Sequence, residues 1–176
     1  MSIPDGYEIR AITPEELDAW WELRLQGLRE HPDAFGADYD ASVERGPGFL
    51  EPSTREGEIN RIFGAITGDG QIVSQAGVYR NGGKQSHIAI IWGVHTHPDW
   101  RGKGFSKALI RLAIEHCRSF PEIRQVHISV NAENAAALAV YTGAGFIPWG
   151  REPRALMTDS GFHDEIHMAM MLDDER

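Results

Sequence analysis

The chain holds a single cysteine in 176 residues, so no internal disulfide can form. Cys117 falls on the apolar stripe of a helical pattern, where a small buried hydrophobe is expected rather than a nucleophile. That usage suits a reducing cytoplasm. No apolar run reaches the roughly 18 residues of a membrane-spanning helix, and Met1 to Arg10 carries no apolar core of a signal peptide, so a soluble, unexported protein is expected. Cations are scarce too: 17 Lys and Arg against 26 Asp and Glu give a net charge of −9. Nucleic-acid binding rests on neutralising phosphates with a basic face, so a polyanion is excluded as the main partner. Repeats and low-complexity tracts are absent. What remains is a chain that is 41% apolar, enough for one core and short for two, so one domain over 1–176 is expected.

Tyr7 to Ala11 reads as a short strand. Thr13, Pro14 and Glu16 then mark a helix start as N-cap, first-turn proline and capping-box acid. Leu17, Trp20, Trp21, Leu25 and Leu28 recur at helical spacing, and Pro32 limits that helix. From Pro32 to Asn60 breakers and acids dominate, with one short helix around Asp40 to Arg45. Strands are predicted at Arg61 to Thr67 and Ile72 to Arg80, and Asn81-Gly82-Gly83 is a hairpin signal into a strand from Lys84 to Thr96. A helix follows with Phe105, Ala108, Leu109, Leu112, His116 and Phe120 on one face. Gln125 to Val130 is the next strand, Asn134 to Ala144 a helix ended by Gly145, and Phe146 to Glu152 and Phe162 to Leu172 are two last strands. The alternation of Met168, Met170 and Leu172 marks core.

The stretch "HTHPDWRGKGFSKALIRLAIEHC", residues 95 to 117, runs from a strand end through two glycines into an amphipathic helix. Such a turn can hold phosphate, because the first N–H groups of a helix lack partners and carry the positive end of its dipole. Arg101, Lys103, Lys107 and Arg111 add a local cationic cluster to an acidic chain. Two familiar phosphate patterns fail on spacing. The P-loop needs glycine where His97 stands and Ser or Thr where Gly104 follows Lys103, and the dinucleotide fingerprint needs glycine at Lys107.

Arg101-Gly102-Lys103-Gly104-Phe105-Ser106 resembles the pyrophosphate loop [QR]-x-x-G-x-[GA] of the GNAT superfamily of acyl-CoA-dependent N-acyltransferases, with V-x-x-x-P-x-W from Val94 before it. Ser106 departs from the usual glycine or alanine but is small and keeps its own N–H. Asn134 to Phe146 resembles the second motif of that family, N-x-x-A-x-x-x-Y-x-x-x-G-F. The resemblance covers essentially the whole chain. It implies an α/β (α+β) fold with a single central mixed, mostly antiparallel sheet of about seven strands and helices on both faces. It also implies acetyl transfer from acetyl-CoA, as co-substrate, to a primary amine of a small molecule or protein by direct attack. The alternative of the same fold is an inactive acyl-CoA-binding sensor or scaffold. A homodimer stays open; a membrane partner does not.

The resemblance assigns roles residue by residue. Val94, His95 and Thr96 would pair with the pantetheine arm, and the N–H groups of Gly102, Lys103, Gly104, Phe105 and Ser106 would hold the diphosphate beside Arg101. Tyr141 would protonate the departing sulfur and Asn134 would contact the cofactor arm. A half-buried aromatic anchor is the structural alternative for Tyr141, and a ligand-free helix entry the alternative for the loop. For the general base, strand alternation puts Ile88, Ile90, Trp92 and Val94 on one face with nothing titratable, and His87, His95 and His97 on the other. An ordered-water relay is therefore expected, with Glu165 or Asp164 contributing. His95 with His97, and His163 with His167, have spacings seen in metal sites, but no third and fourth ligand can be named, so no metal is expected.

Overall fold

Residues 6–172 are described by the computed structural model; the first five residues and the last four lie outside it. The expectation drawn from Met1 to Arg10 and the outer limits of the one-domain reading therefore fall partly outside the described residues. Strand β1 (Tyr7–Ala11) leads through Thr13 into a short 3-10 turn and helix α1 (Leu17–Glu30). The Thr13 N–H donates to Glu16 Oε2 at 2.9 Å, as the capping-box spacing predicts. Arg10 clamps the same carboxylate at 2.8 and 2.7 Å, joining β1 to the entry of α1. Helix α1 ends one residue before His31, ahead of Pro32. A one-turn 3-10 segment (Pro32–Ala34), helix α2 (Tyr39–Arg45) and a further 3-10 stretch lead to the meander.

The meander is β2 (Arg61–Thr67), β3 (Ile72–Arg80) and β4 (Ile88–Thr96). Strand β4 starts later than the sequence predicts, because Gly83 to Gln85 form a 3-10 turn in place of a two-residue hairpin. Helix α3 (Phe105–Arg118), β5 (Gln125–Asn131), helix α4 (Ala135–Ala144), β6 (Ile147–Thr158) and β7 (Gly161–Met171) complete the chain. Strand β6 runs well past Glu152, carried through an irregularity between Glu152 and Leu156.

One seven-stranded sheet results, in the order β1-β2-β3-β4-β5-β7-β6. Every neighbouring pair is antiparallel except β4 with β5, so the predicted mixed, mostly antiparallel sheet is what the chain forms. Helices α3 and α4 cover one face through Leu109, Ile110, Ala113 and Tyr141. Helix α1 covers the other through Leu17, Trp20 and Trp21. Cys117, Met168 and Leu172 are buried in the first of these cores, and burial pushes the Cys117 thiol up to about 12, the behaviour of an inert core sulfur. Among the described residues, no helix is long and apolar enough to cross a membrane.

Two features of β4 prepare the site. Its pairing with β5 covers only Ile88 to Ile90 against Gln125 to His127, after which the two strands separate. Its register with β3 also slips, Gln75 opposing His95 while Gly77 opposes Trp92, which puts one extra residue in β4 at Gly93. Gly93 has φ 65°, a left-handed conformation that glycine adopts without the cost a side chain would bring.

Candidate active site

The gap between the separated strands opens into a cleft of about 750 Å³. Its walls are the free end of β4, the entry of α3, the tip of β5, the first turns of α4 and the segment after α1. Of the residues singled out from the sequence, Val94, His95, Thr96, Arg101, Gly102, Gly104, Phe105, Ser106, Asn134 and Tyr141 all line it. Lys103 does not; its ammonium lies over the Trp100 ring at 4.1 Å, while Lys107 takes a place in the wall. Glu165 does not either. It pairs with Asn131 of β5 and Glu152 of β6, one strand beyond the gap, and gathers with Glu152 and His167 instead. Burial, reinforced by Glu152, raises its carboxyl above the usual range. Asp164 is spent on Arg151 at 2.8 Å and on the Arg154 N–H at 2.8 Å.

The glycines of the loop work through conformation. Gly102 and Gly104 have φ 76° and 85°, and nothing lies within 4 Å of where either Cβ would stand. Gly104 is the N-cap of α3 in left-handed form, so the free N–H groups of the first turn face the cleft. The serine at 106 has a use that the sequence did not reveal. Ser106 Oγ and Thr96 Oγ1 are 2.9 Å apart, Thr96 Oγ1 and Ser74 Oγ 2.7 Å, and Ser74 donates to the His95 carbonyl at 3.0 Å. Because each hydroxyl has one proton, the chain runs Ser106 to Thr96 to Ser74 to His95 O, tying the start of α3 to β4 and β3. Arg101 is likewise turned inward. Its Nε donates to the Thr96 carbonyl at 3.2 Å and its Nη2 to His31 Nε2 at 2.7 Å.

The expectation for the faces of β4 is overturned by the bulge at Gly93. Alternation restarts there, so His95 joins Trp92 on the α1 side instead of lying opposite to it. His95 is 6% exposed and packs against Gly27, whose Cβ, were there one, would meet the imidazole at 3.0 Å. The rings of His31 and Phe35 flank it at 6.0 and 6.1 Å. Burial, with Arg101 adding to it, pushes His95 down to about 4, so it is neutral at ordinary pH.

Asn134 caps α4, its Oδ1 accepting from the Ala137 N–H at 3.0 Å, which leaves its amide nitrogen for the cleft. Tyr141 is 6% exposed and packs edge-on to Phe146 at 6.4 Å. Burial raises its phenol above the usual value, so the hydroxyl stays protonated. Asn131, which sequence reasoning passed over, holds the far wall together. Its Nδ2 donates to the Asp33 carbonyl at 2.8 Å, and its Oδ1 accepts from the Glu133 N–H at 2.9 Å. The cleft is therefore polarised, with Arg101 and Lys107 at the α3 end and Asp33 and Glu133 at the other.

His97, His163 and His167 each have their own polar partners. His97 Nδ1 accepts from the Asp99 N–H at 3.3 Å, and His163 contacts Thr158 and Ser160. His167 contacts Glu152 at 2.9 Å and, with Glu165, forms a group whose ligand atoms lie within 4.8 Å of one another, outside the cleft.

A gap between two diverging parallel strands, closed at one end by a glycine-opened helix, is where both sequence motifs converge. The chain belongs to the acetyltransferase (GNAT) family, whose model matches residues 16–146. It is 31% identical over 143 residues to aminoglycoside N(6')-acetyltransferase type 1 of Stenotrophomonas maltophilia, covering 78% of this chain and 84% of that protein. It is 26% identical over 151 residues to the mycothiol acetyltransferase of Paenarthrobacter aurescens, covering 84% of this chain. The match takes in 44% of that protein, so the chain spans less than half the length of this relative. Among solved structures, yncA of Salmonella typhimurium, a putative acetyltransferase determined with acetyl-CoA, superposes with a TM-score of 0.83 at 18% identity, covering 97% of this chain and 96% of that one.

Proposed function

We propose that this chain is an N-acetyltransferase, one domain over 1–176, that moves the acetyl group of acetyl-CoA to a primary amine. The observation that carries the reading is the cleft itself: an unpaired end of β4 leads directly to the free N–H groups at the start of α3. The residues fit acetyl-CoA as co-substrate. Gly102 to Ser106 offer backbone donors for the diphosphate, Lys107 adds charge, and Val94 to Thr96 offer an open strand edge to the pantetheine amides. The thioester supplies an activated acyl group; no metal and no covalent enzyme intermediate enters the scheme.

In this scheme the amine nitrogen forms the new C–N bond at the thioester carbonyl, the C–S bond then breaks, and the thiolate takes a proton from Tyr141 Oη. An amine that arrives as a cation gives one proton to ordered water in the cleft before it attacks, with neutral His95 at the wall of that route. The proton the nitrogen loses after attack passes through the same water to restore Tyr141. The structure gives no support to Glu165 as the base, since it stands one strand away. Asp33 and Glu133 at the acceptor end favour an amine that arrives as a cation, in a small molecule or a protein. Relatives named for mycothiol, aminoglycosides and L-amino acids support small amines as the first candidates. A cytoplasmic location fits the buried, unpaired Cys117. A panel of such amines with acetyl-CoA, read by thiol release, tests the reading; acetyl-CoA binding with no turnover for any amine favours the sensor or scaffold instead.

A further inference from the structure

Helix α1 carries an arginine in a place where arginines are seldom found. Arg24 is 9% exposed and lies between α1 and the sheet, beneath the bulge of β4. Its Nη1 stands 3.0 Å from the position a Cβ would take at Gly93. Neither Nε nor Nη1 has a hydrogen-bond partner, and no carboxylate pairs with the guanidinium among the described residues. The faces of Trp92 at 4.8 Å and Trp21 at 5.9 Å offset part of the desolvation, but an aromatic face is a weak substitute for a counter-ion. An unpaired buried charge opposes folding, so its presence calls for a use elsewhere. Burial pushes Arg24 down to about 10, which leaves it charged at neutral pH.

The bulge beside it is where that charge can act. Gly93 is followed by Val94, which lines the cleft on the strand edge that β5 has left. Gln75, fully buried on β3, donates to the Gly93 carbonyl at 3.3 Å and holds the bulge from the same side. A pantetheine arm running back along β4 from the diphosphate loop brings its thioester towards the bulge. We propose that Arg24 is the buried charge that stabilises the oxyanion formed at the thioester carbonyl, acting through the Gly93–Val94 backbone without touching the substrate. When the amine attacks, the carbonyl π electrons move onto oxygen; they return when the C–S bond breaks. A fixed cation in a dry, apolar setting favours that transient negative charge and needs no reorganisation to do so. The inference rests on the acetyl-transfer reading above.

The test compares Arg24→Met, Arg24→Gln and Arg24→Lys with the wild type in four readouts: thermal midpoint, acetyl-CoA affinity, kcat, and the infrared stretch of bound carbonyl-labelled acetyl-CoA. Removing a direct oxyanion donor typically costs about a hundredfold or more in kcat, and a charge one layer back is expected to cost about tenfold. The Met and Gln variants should therefore lose about tenfold in kcat and shift the carbonyl stretch to higher frequency. Their acetyl-CoA affinity should hold, and their thermal midpoint should stay level or rise. Lys should recover most of the loss, and the Gln and Lys pair keeps the test intact if Met disturbs folding. Unchanged kcat and stretch, or a Lys variant as impaired as Met, would overturn the role. A defect confined to the KM of the amine would also overturn it, because Arg24 would then be reading an anionic group on the acceptor. The acetyl-CoA titration stands apart from these outcomes: a wild type that fails to bind it sinks the acetyl-transfer reading itself.

Discussion

Arg101 Nη2 donates to His31 Nε2 at 2.7 Å, joining the loop that opens α3 to the residue that ends α1, 70 positions earlier. With Nε on the Thr96 carbonyl, the guanidinium bridges both walls of the cleft and is not a free phosphate ligand. Position, more than charge, is what this arginine supplies.

Arg101→Lys keeps the charge but cannot span both partners in a planar fork. Acetyl-CoA affinity is expected to fall about tenfold, a loss of about 1.4 kcal/mol, with the thermal midpoint near wild type. Calorimetry checks this, and equal affinities would show that the bridge does not position the loop.

Tyr141→Phe removes one hydroxyl and keeps the ring packed on Phe146. Positioned acid catalysis contributes about a hundred- to ten-thousand-fold, of which water can replace part, so kcat is expected to drop by about tenfold or more. Acetyl-CoA affinity and thermal midpoint should hold. A collapse of stability instead would make Tyr141 the aromatic anchor that the sequence left open.

Acid should weaken the fold in two steps. His95 at about 4 and His116, also lowered by burial, bind protons more readily when unfolded, so their stabilising contribution is complete above about 6.5 and is lost as pH falls from there, for His95 down through about 4. Glu16, held near 2 by Arg10 against an ordinary value of 4.5, contributes above 4.5 and is lost below it. Urea midpoints at a series of pH values report both. His116→Gln, which can still donate to the Ile59 carbonyl, should flatten the upper step; an unchanged slope would remove His116 from the account.

Chelator should leave turnover intact, since nothing in the cleft assembles metal ligands among the described residues. Activity lost in chelator and restored by zinc would redirect attention to the Glu152, Glu165 and His167 group.

Much of this was legible in the chain because its signals are local. Thr13 to Glu16 states a helix start, and Gly145 a helix end with φ 103°. The two spaced motifs led to Thr96, Gly104, Asn134 and Tyr141, which do meet in one cleft. What failed depends on contacts between distant segments. Counting alternate residues along β4 assumed an unbroken ladder, and one bulge moved His95 to the other face; the lone glycine in an otherwise apolar strand was the available clue. Glu165 looked eligible because the order β5-β7-β6, and hence its distance from the gap, is not written in any local pattern. Arg24 sits among charged and apolar helix residues, and only the fold shows that its Nε and Nη1 find no hydrogen-bond partner among the described residues.

The most direct test of the central claim is a calorimetric titration of acetyl-CoA into the wild type and Gly104→Val. A β-branched residue at φ 85° is strained, and its side chain stands where the diphosphate must approach. The account predicts one site per chain, about micromolar and weakened by salt, in the wild type, and no measurable binding in a variant that keeps the wild-type circular dichroism. Equal affinity in a folded Gly104→Val, or no binding by the wild type, would contradict it.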